Sequence, residues 1–165
     1  MKRIELPLTK DIIAGLRLGE EVLLNGPMLT GRDAAHKRLV DSINSKKALP
    51  VDIKGETIYY TGPAPARPGE IIGSCGPTTS SRMDPFTPTL IKHGLLGMIG
   101  KGERSKEVAF VIHRYGAIYF VTIGGAGAYL SECVVSNKVI AYEDLGPEAI
   151  SRIIVKDFPV IVFLK

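Results

Sequence analysis

One polar stretch near the middle of the chain, Gly73-Ser-Cys-Gly-Pro-Thr-Thr-Ser-Ser-Arg-Met-Asp84, constrains the fold more than any other. Gly76-Pro77 fixes the backbone there and leaves the amides that follow free of strand pairing. Thr78, Thr79, Ser80 and Ser81 then lead into Arg82 and Asp84. A helix beginning near Thr79 or Ser80 would direct unpaired N–H groups outward, beside hydroxyls and a guanidinium. That combination suits a carboxylate or a phosphate. The same residues also fit a capped helix start with Arg82 in a local ion pair.

The 165 residues are enough for one domain with a sizeable core, and 45% hydrophobic against 23% charged residues describes a globular chain. With 18 Gly and 11 Pro, turns are frequent. The net charge of +4 admits nucleic acid, an acidic partner or an anionic substrate. Lys and Arg are scattered, without a basic run or interleaved aromatics, which argues against nucleic acid. Cys75 and Cys133 form neither a CxxC motif nor a disulfide framework and suit a reducing, cytoplasmic setting. Met1-Lys-Arg-Ile-Glu-Leu-Pro7 has no secretory pattern, and no apolar run reaches membrane-spanning length.

In chain order, the pattern predicts a strand over Arg3 to Leu6 and a helix over Asp11 to Leu16 capped by Thr9. A strand follows over Glu21 to Asn25, a turn at Gly26-Pro27, and an extended segment to Gly31. Ala34, Ala35, Leu39 and Ile43 give Arg32 to Ser45 the clearest helical spacing. Thr57 to Thr61 reads as a strand, the Pro-rich Gly62 to Gly69 as an extended loop, and Glu70 to Gly73 as a short strand. Pro85 opens a helix to about His93. Val108 to His113 and Ala117 to Ile123 read as strands of a hairpin turning at Arg114-Tyr-Gly116. Gly124-Gly-Ala-Gly-Ala128 is a tight strand-to-helix turn that only loosely resembles a dinucleotide fingerprint, because Leu130 stands where a small residue belongs. The turn leads into a helix to Cys133. Lys138 to Tyr142 is a strand, and Pro147 to Ile150 a short helix or turn. Val155 to Phe158 and Val160 to Phe163 form a strand around Pro159 at an edge or bulge. Mixed strands and helices of this size predict a layered α/β or α+β domain over residues 1–165.

Two further positions attract attention. Asp33 suits the positive end of the helix dipole, whereas Arg32 there is unfavourable unless an anion joins it. Lys101 lies between Gly100 and Gly102, where a ligand could approach an ammonium closely, although the spacing is not that of a P-loop. His36, one turn into the helix, suits a partly buried structural histidine.

Leu29-Thr-Gly-Arg-Asp-Ala-Ala-His36, Gly76-Pro-Thr-Thr-Ser-Ser-Arg-Met-Asp84 and Ile99-Gly-Lys-Gly102, together with Gly62-Pro-Ala-Pro-Ala66, occur in this order along the chain. The set resembles the C-terminal domain, or separate beta subunit, of class I (iron–sulfur) fumarate hydratases and the related L-tartrate dehydratases, over essentially the whole chain. The resemblance implies a single-domain α/β chain of the layered, swivelling β/β/α type. It implies a [4Fe-4S] cluster carried by a partner alpha subunit, with no metal ligand in this chain. Two cysteines by themselves cannot supply the usual thiolate set. It further implies an α2β2 hetero-oligomer acting on a small dicarboxylate.

Within that resemblance, Arg32, Arg82 and Lys101 match the ligands of the substrate carboxylates, and Thr78 matches the position of the proposed base. Asp33, His36 and Asp84 take an orienting role. Removing a proton alpha to a carboxylate builds charge on that carboxylate, which fixed cations would stabilise, and Arg grips a carboxylate through two parallel bonds. A threonine hydroxyl is a poor base in water and needs cations nearby to stabilise its alkoxide. Fumarate with L-malate is the leading substrate pair and L-tartrate the alternative. From other classes, a stand-alone anion-binding regulatory module and a basic nucleic-acid binder remain as readings.

Overall fold

The computed structural model describes residues 1–122 and 126–165. Its strands are β1 (Lys2–Glu5), β2 (Glu21–Thr30), β3 (Thr57–Tyr59), β4 (Gly97–Gly100), β5 (Ile118–Val121), β6 (Val134–Ala141) and β7 (Ile150–Leu164). The α-helices are α1 (Lys10–Ala14), α2 (Asp33–Asn44), α3 (Thr87–Lys92), α4 (Lys106–Tyr115) and α5 (Gly127–Glu132), with 3-10 turns at Ser80–Met83 and Glu143–Glu148.

β1 to β5 run parallel in chain order, and β7 is antiparallel to its neighbours β5, β6 and β2. Because β7 pairs with both β2 and β5, the strands β2, β3, β4, β5 and β7 close on one another as a small barrel. Side chains alternate across this wall as strand geometry requires. Tyr59, Ile99, Ile118 and Phe120 join one core, with Leu24, Met28 and Phe158. Ile58, Tyr60, Met98 and Tyr119 join a second, under Leu39, Leu90, Val108 and Ile112 of the helices. Parallel strands covered on both faces need apolar residues at successive positions, as the sequences here supply.

Several expectations hold. Thr9 caps α1 by accepting from the Ile12 N–H at 3.2 Å, and α2 runs one residue inside its predicted limits at each end. The Gly26-Pro27 turn is instead a bulge within one long strand, where the register of β2 on β7 shifts between Leu24 and Gly26. Glu70 to Gly73 is not a strand; it lies in a loop whose Gly73 packs so closely on Ala64 that no side chain would fit. α3 begins at Thr87, later than Pro85, and the turn before β7 begins earlier than Pro147, at Glu143. β4 occupies a segment to which the sequence pattern assigned no strand.

The largest correction is α4, read from sequence as the first strand of a hairpin. Ser105 caps it by accepting from the Val108 N–H at 3.1 Å, and Gly116 closes it with a left-handed φ of 69°. Those end signals fit a helix and not a hairpin. Val108, Val111 and Ile112 face the core while Phe110 is exposed, and burying each of the three contributes about 1.5–3 kcal/mol. That packing outweighs the strand preference of a Val- and Phe-rich run. The predicted end of the next strand at Ile123, and Gly124-Gly125 of the following turn, lie outside the described residues.

Pro159 stands beside a bulge and not in it, and β7 is not an edge strand. β7 lies between β2 and the pair β5 and β6, and Pro159 stands opposite Leu23. The irregularity is taken up beside it, where Asp157 adopts a φ of 50° and its N–H bonds the Asn25 side chain at 3.0 Å.

Candidate active site

The segments singled out by sequence meet at one end of the barrel, at the carboxyl ends of the parallel strands. Open α/β sheets commonly bind ligands there. Arg32 follows the end of β2, where the Gly31 N–H donates to Tyr59 C=O at 3.1 Å. Thr78 is tied to the end of β3, its N–H donating to Tyr60 C=O at 2.7 Å. Lys101 directly follows β4. Thr79 and Lys101 form a parallel bridge, with the Ser80 N–H donating to Lys101 C=O at 2.9 Å. The turn after Gly76-Pro77 is a single 3-10 turn, Ser80–Met83, so the expected helix start exists but does not propagate.

Arg82 donates through Nε and Nη2 to one oxygen of Asp33, at 3.1 and 2.7 Å. A capped helix start predicts a local ion pair for Arg82; its partner is instead 49 residues away. Arg32 is the N-cap residue of α2 without a side-chain cap, and its Nε is buried with no hydrogen-bond partner. Glu148 Oε1 lies 4.0 Å from that Nε. Gly62 leaves room for the arginine, since a Cβ there would stand 2.8 Å from Nη1. Lys101 is exposed and forms no ion pair among the described residues. The Thr78 hydroxyl likewise has no hydrogen-bond partner among them.

His36 is fully buried beneath this surface, edge-on to Tyr60 with ring centroids 5.3 Å apart. Its Nδ1–H donates to Arg32 C=O at 2.7 Å, and burial pulls its pKa down to about 4, so the ring is neutral. It orients Arg32 through the backbone and does not reach the surface. Asp84 acts elsewhere than expected. It pairs with buried Arg104 at 2.7 Å and accepts from the Ser105 N–H at 2.7 Å. Arg104, Glu148 and Tyr119 escaped the sequence reading. Arg104 and Tyr119 flank or occupy the segment misread as a hairpin, and nothing local marks any of the three.

Cys75 and Cys133 are buried in the barrel core, and burial pushes the Cys75 thiol up to about 11 and raises Cys133 as well. Cluster ligation takes deprotonated thiolates, usually about four of them. Among the described residues no three His, Cys, Asp or Glu side chains converge as metal ligands. The residues of this chain do not fit an iron–sulfur cluster. Among the described residues, no helix is long and apolar enough to cross a membrane.

Comparison with known proteins agrees with the residues that carry the resemblance. The family model for the fumarase C-terminus matches residues 1–165. The chain is 39% identical over 160 residues to the anaerobic class I fumarate hydratase of Escherichia coli, covering 94% of this chain and 29% of that protein. It is 40% identical over 141 residues to the mitochondrial fumarate hydratase 1 of Leishmania major, covering 84% of this chain and 26% of that one. It is 35% identical to the putative L(+)-tartrate dehydratase subunit beta of Methanocaldococcus jannaschii, covering 94% of this chain and 83% of that protein. The chain thus spans less than a third of the two fumarate hydratases and most of the beta subunit. On the extent of these matches, the chain belongs to the fumarase C-terminus family.

Proposed function

We propose that this chain is the beta component of a cytoplasmic hydro-lyase interconverting fumarate and L-malate, with its fold of the swivelling β/β/α type. Its site is completed by an alpha subunit, in an α2β2 assembly, and the alpha subunit holds the [4Fe-4S] cluster. The unsuitability of Cys75 and Cys133 supports that assignment.

The observation that carries the reading is the backbone bridge between Thr79 and Lys101. On adjoining segments at an exposed strand end it holds Lys101 and Thr78, a cation and a hydroxyl without partners among the described residues. In the dehydration direction Thr78, as its alkoxide, would take the proton alpha to a malate carboxylate, and the C–H electron pair would form the double bond as hydroxide leaves the adjacent carbon on the alpha-subunit side of the site. Arg82 would stabilise the charge that gathers on that carboxylate, and with Lys101 nearby could hold the Thr78 alkoxide. Arg32, whose Nε is unpartnered among the described residues, would bind the other carboxylate together with Lys101. Asp33 keeps Arg82 extended between turnovers, and neutral His36 holds the Arg32 backbone.

A second reading, dehydration of L-tartrate, is favoured by the 83% coverage of a protein named as a tartrate dehydratase beta subunit. Anaerobic co-expression with a cluster-bearing alpha chain, followed by hydro-lyase assays with fumarate and L-tartrate, tests both. The expected result is a stable complex that turns over fumarate. Turnover of tartrate alone selects the second reading. A chain that binds dicarboxylate but associates with no such partner is a stand-alone anion-binding module.

A further inference from the structure

The segments carrying Arg82 and Lys101 are fastened from beneath by a polar cluster that the proposed reaction does not use. At its centre is Arg104, whose side chain is 0% exposed. Its Nε donates to Asp84 at 2.7 Å, and its Nη2 donates to Thr87 Oγ1 at 2.8 Å and to the Tyr60 hydroxyl at 3.2 Å; Nη1 has no partner. The guanidinium lies 4.7 Å from the ring centroid of Tyr119 and 5.3 Å from that of Tyr60. Asp84 ends the turn that bears Arg82.

Tyr119 makes the second connection. Its hydroxyl lies 2.7 Å from Ser80 Oγ and 2.7 Å from Gly102 C=O. A phenol has one proton and a carbonyl only accepts, so Tyr119 donates to Gly102 and accepts from Ser80. Burial pushes this phenol up to about 12, which keeps the donor protonated. Ser80 belongs to the Arg82 turn and Gly102 follows Lys101. Gly100 has no side chain to spare, because a Cβ there would collide with Ser80 Oγ and the Tyr60 ring.

Burying a guanidinium is costly, and an apolar side chain of similar size would fill the space without that cost. What the guanidinium adds is direction, since its planar fork fixes Asp84, Thr87 and Tyr60 relative to one another. We propose that Arg104 and Tyr119 are positioning residues that clamp the Arg82 turn to the Lys101 loop and so set the separation of those two cations. The inference rests on the reading that Arg82 and Lys101 bind substrate carboxylates. The separation then acts as a ruler for diacid length.

The test uses the assembled two-chain enzyme and measures inhibition by malonate, succinate and glutarate, with propionate as a monoacid, for wild type, Tyr119→Phe and Arg104→Lys. Wild type should prefer one diacid length. Both variants should flatten that preference, with affinity for the preferred diacid falling on the order of tenfold and propionate binding as before. Tyr119→Phe keeps the ring and removes only the hydroxyl, so it remains informative if Arg104→Lys does not fold. A loss of thermal stability without a change in length preference makes the cluster merely structural and overturns the proposal, as does the absence of any preference in wild type. Arg82→Ala and Lys101→Ala separate the two levels of the argument. If they retain wild-type diacid affinity, the reading of the site has failed and the clamp with it. If they lose it while Tyr119→Phe keeps the wild-type length preference, only the clamp falls.

Discussion

Arg82 and Arg104 lie at either side of the same polar turn, yet replacing each by alanine should do opposite things. The Arg82 side chain is 49% exposed and its partner Asp33 38% exposed. Such a pair contributes about 0.2–1 kcal/mol, so Arg82→Ala should lower the melting temperature by only about 2 °C. If Arg82 meets charge developing on the substrate carboxylate, its loss should cost about 2.7–4 kcal/mol in the transition state, or roughly a hundred- to a thousandfold in turnover. Arg82→Lys should not restore it, because the two-pronged grip is gone. Arg104→Ala instead strands Asp84, whose side chain is 13% exposed. Losing one partner of a buried pair costs about 3–5 kcal/mol, which corresponds to ~10 °C or more of melting temperature. Thermal melting of the chain and turnover of the assembled enzyme, measured on both variants, separate these outcomes. Near-normal turnover in Arg82→Ala removes that residue from the site. An unmoved melting temperature in Arg104→Ala refutes the argument from burial.

Thr78→Ala should fold normally and still bind dicarboxylate, yet scarcely exchange the malate C–H proton with solvent; Thr78→Ser should restore part of the exchange. A merely structural role predicts exchange at the wild-type rate. His36 gives a pH prediction. Burial holds it near pKa 4, below its ordinary 6.5, so as pH falls the unfolded chain takes up the proton first. Stability should be complete above about pH 6.5 and decline by about 3 kcal/mol as pH falls to about 4. Denaturant unfolding of His36→Asn at pH 7 and pH 5 should show a flatter dependence than wild type, and equal slopes would contradict the assignment.

What could be read from sequence follows from where the signals are local. Thr9 as a cap and the helical spacing of Ala35, Leu39 and the residues around them depend on near neighbours, and both were legible. The hydrogen bond of Asp33 with Arg82, 49 positions away, was not. α4 was misread because Val108 to His113 has the composition of a strand. Its Ser105 cap and left-handed Gly116 were the competing signals. The central place of β7 was hidden because pairing with β2, β5 and β6 is decided by barrel closure. The partner of Asp84 was hidden for a related reason. Its partner Arg104 comes from the loop before α4, and only the packing of α3 on α4 brings them together. Arg32 was flagged by an unfavourable position on a helix dipole, and its unpartnered Nε is the structural counterpart of that signal.

The central claim is that this chain supplies carboxylate-binding cations to a site it shares with a cluster-bearing partner. The most direct measurement is fumarate hydration by a fixed amount of that partner as this chain is added, with wild type and with Lys101→Ala. Activity should rise from zero and level off at equal amounts of the two chains with wild type. Lys101→Ala should bind the partner, displace wild type and restore no turnover. Hydration by the partner alone, or full activity with Lys101→Ala, would contradict the account.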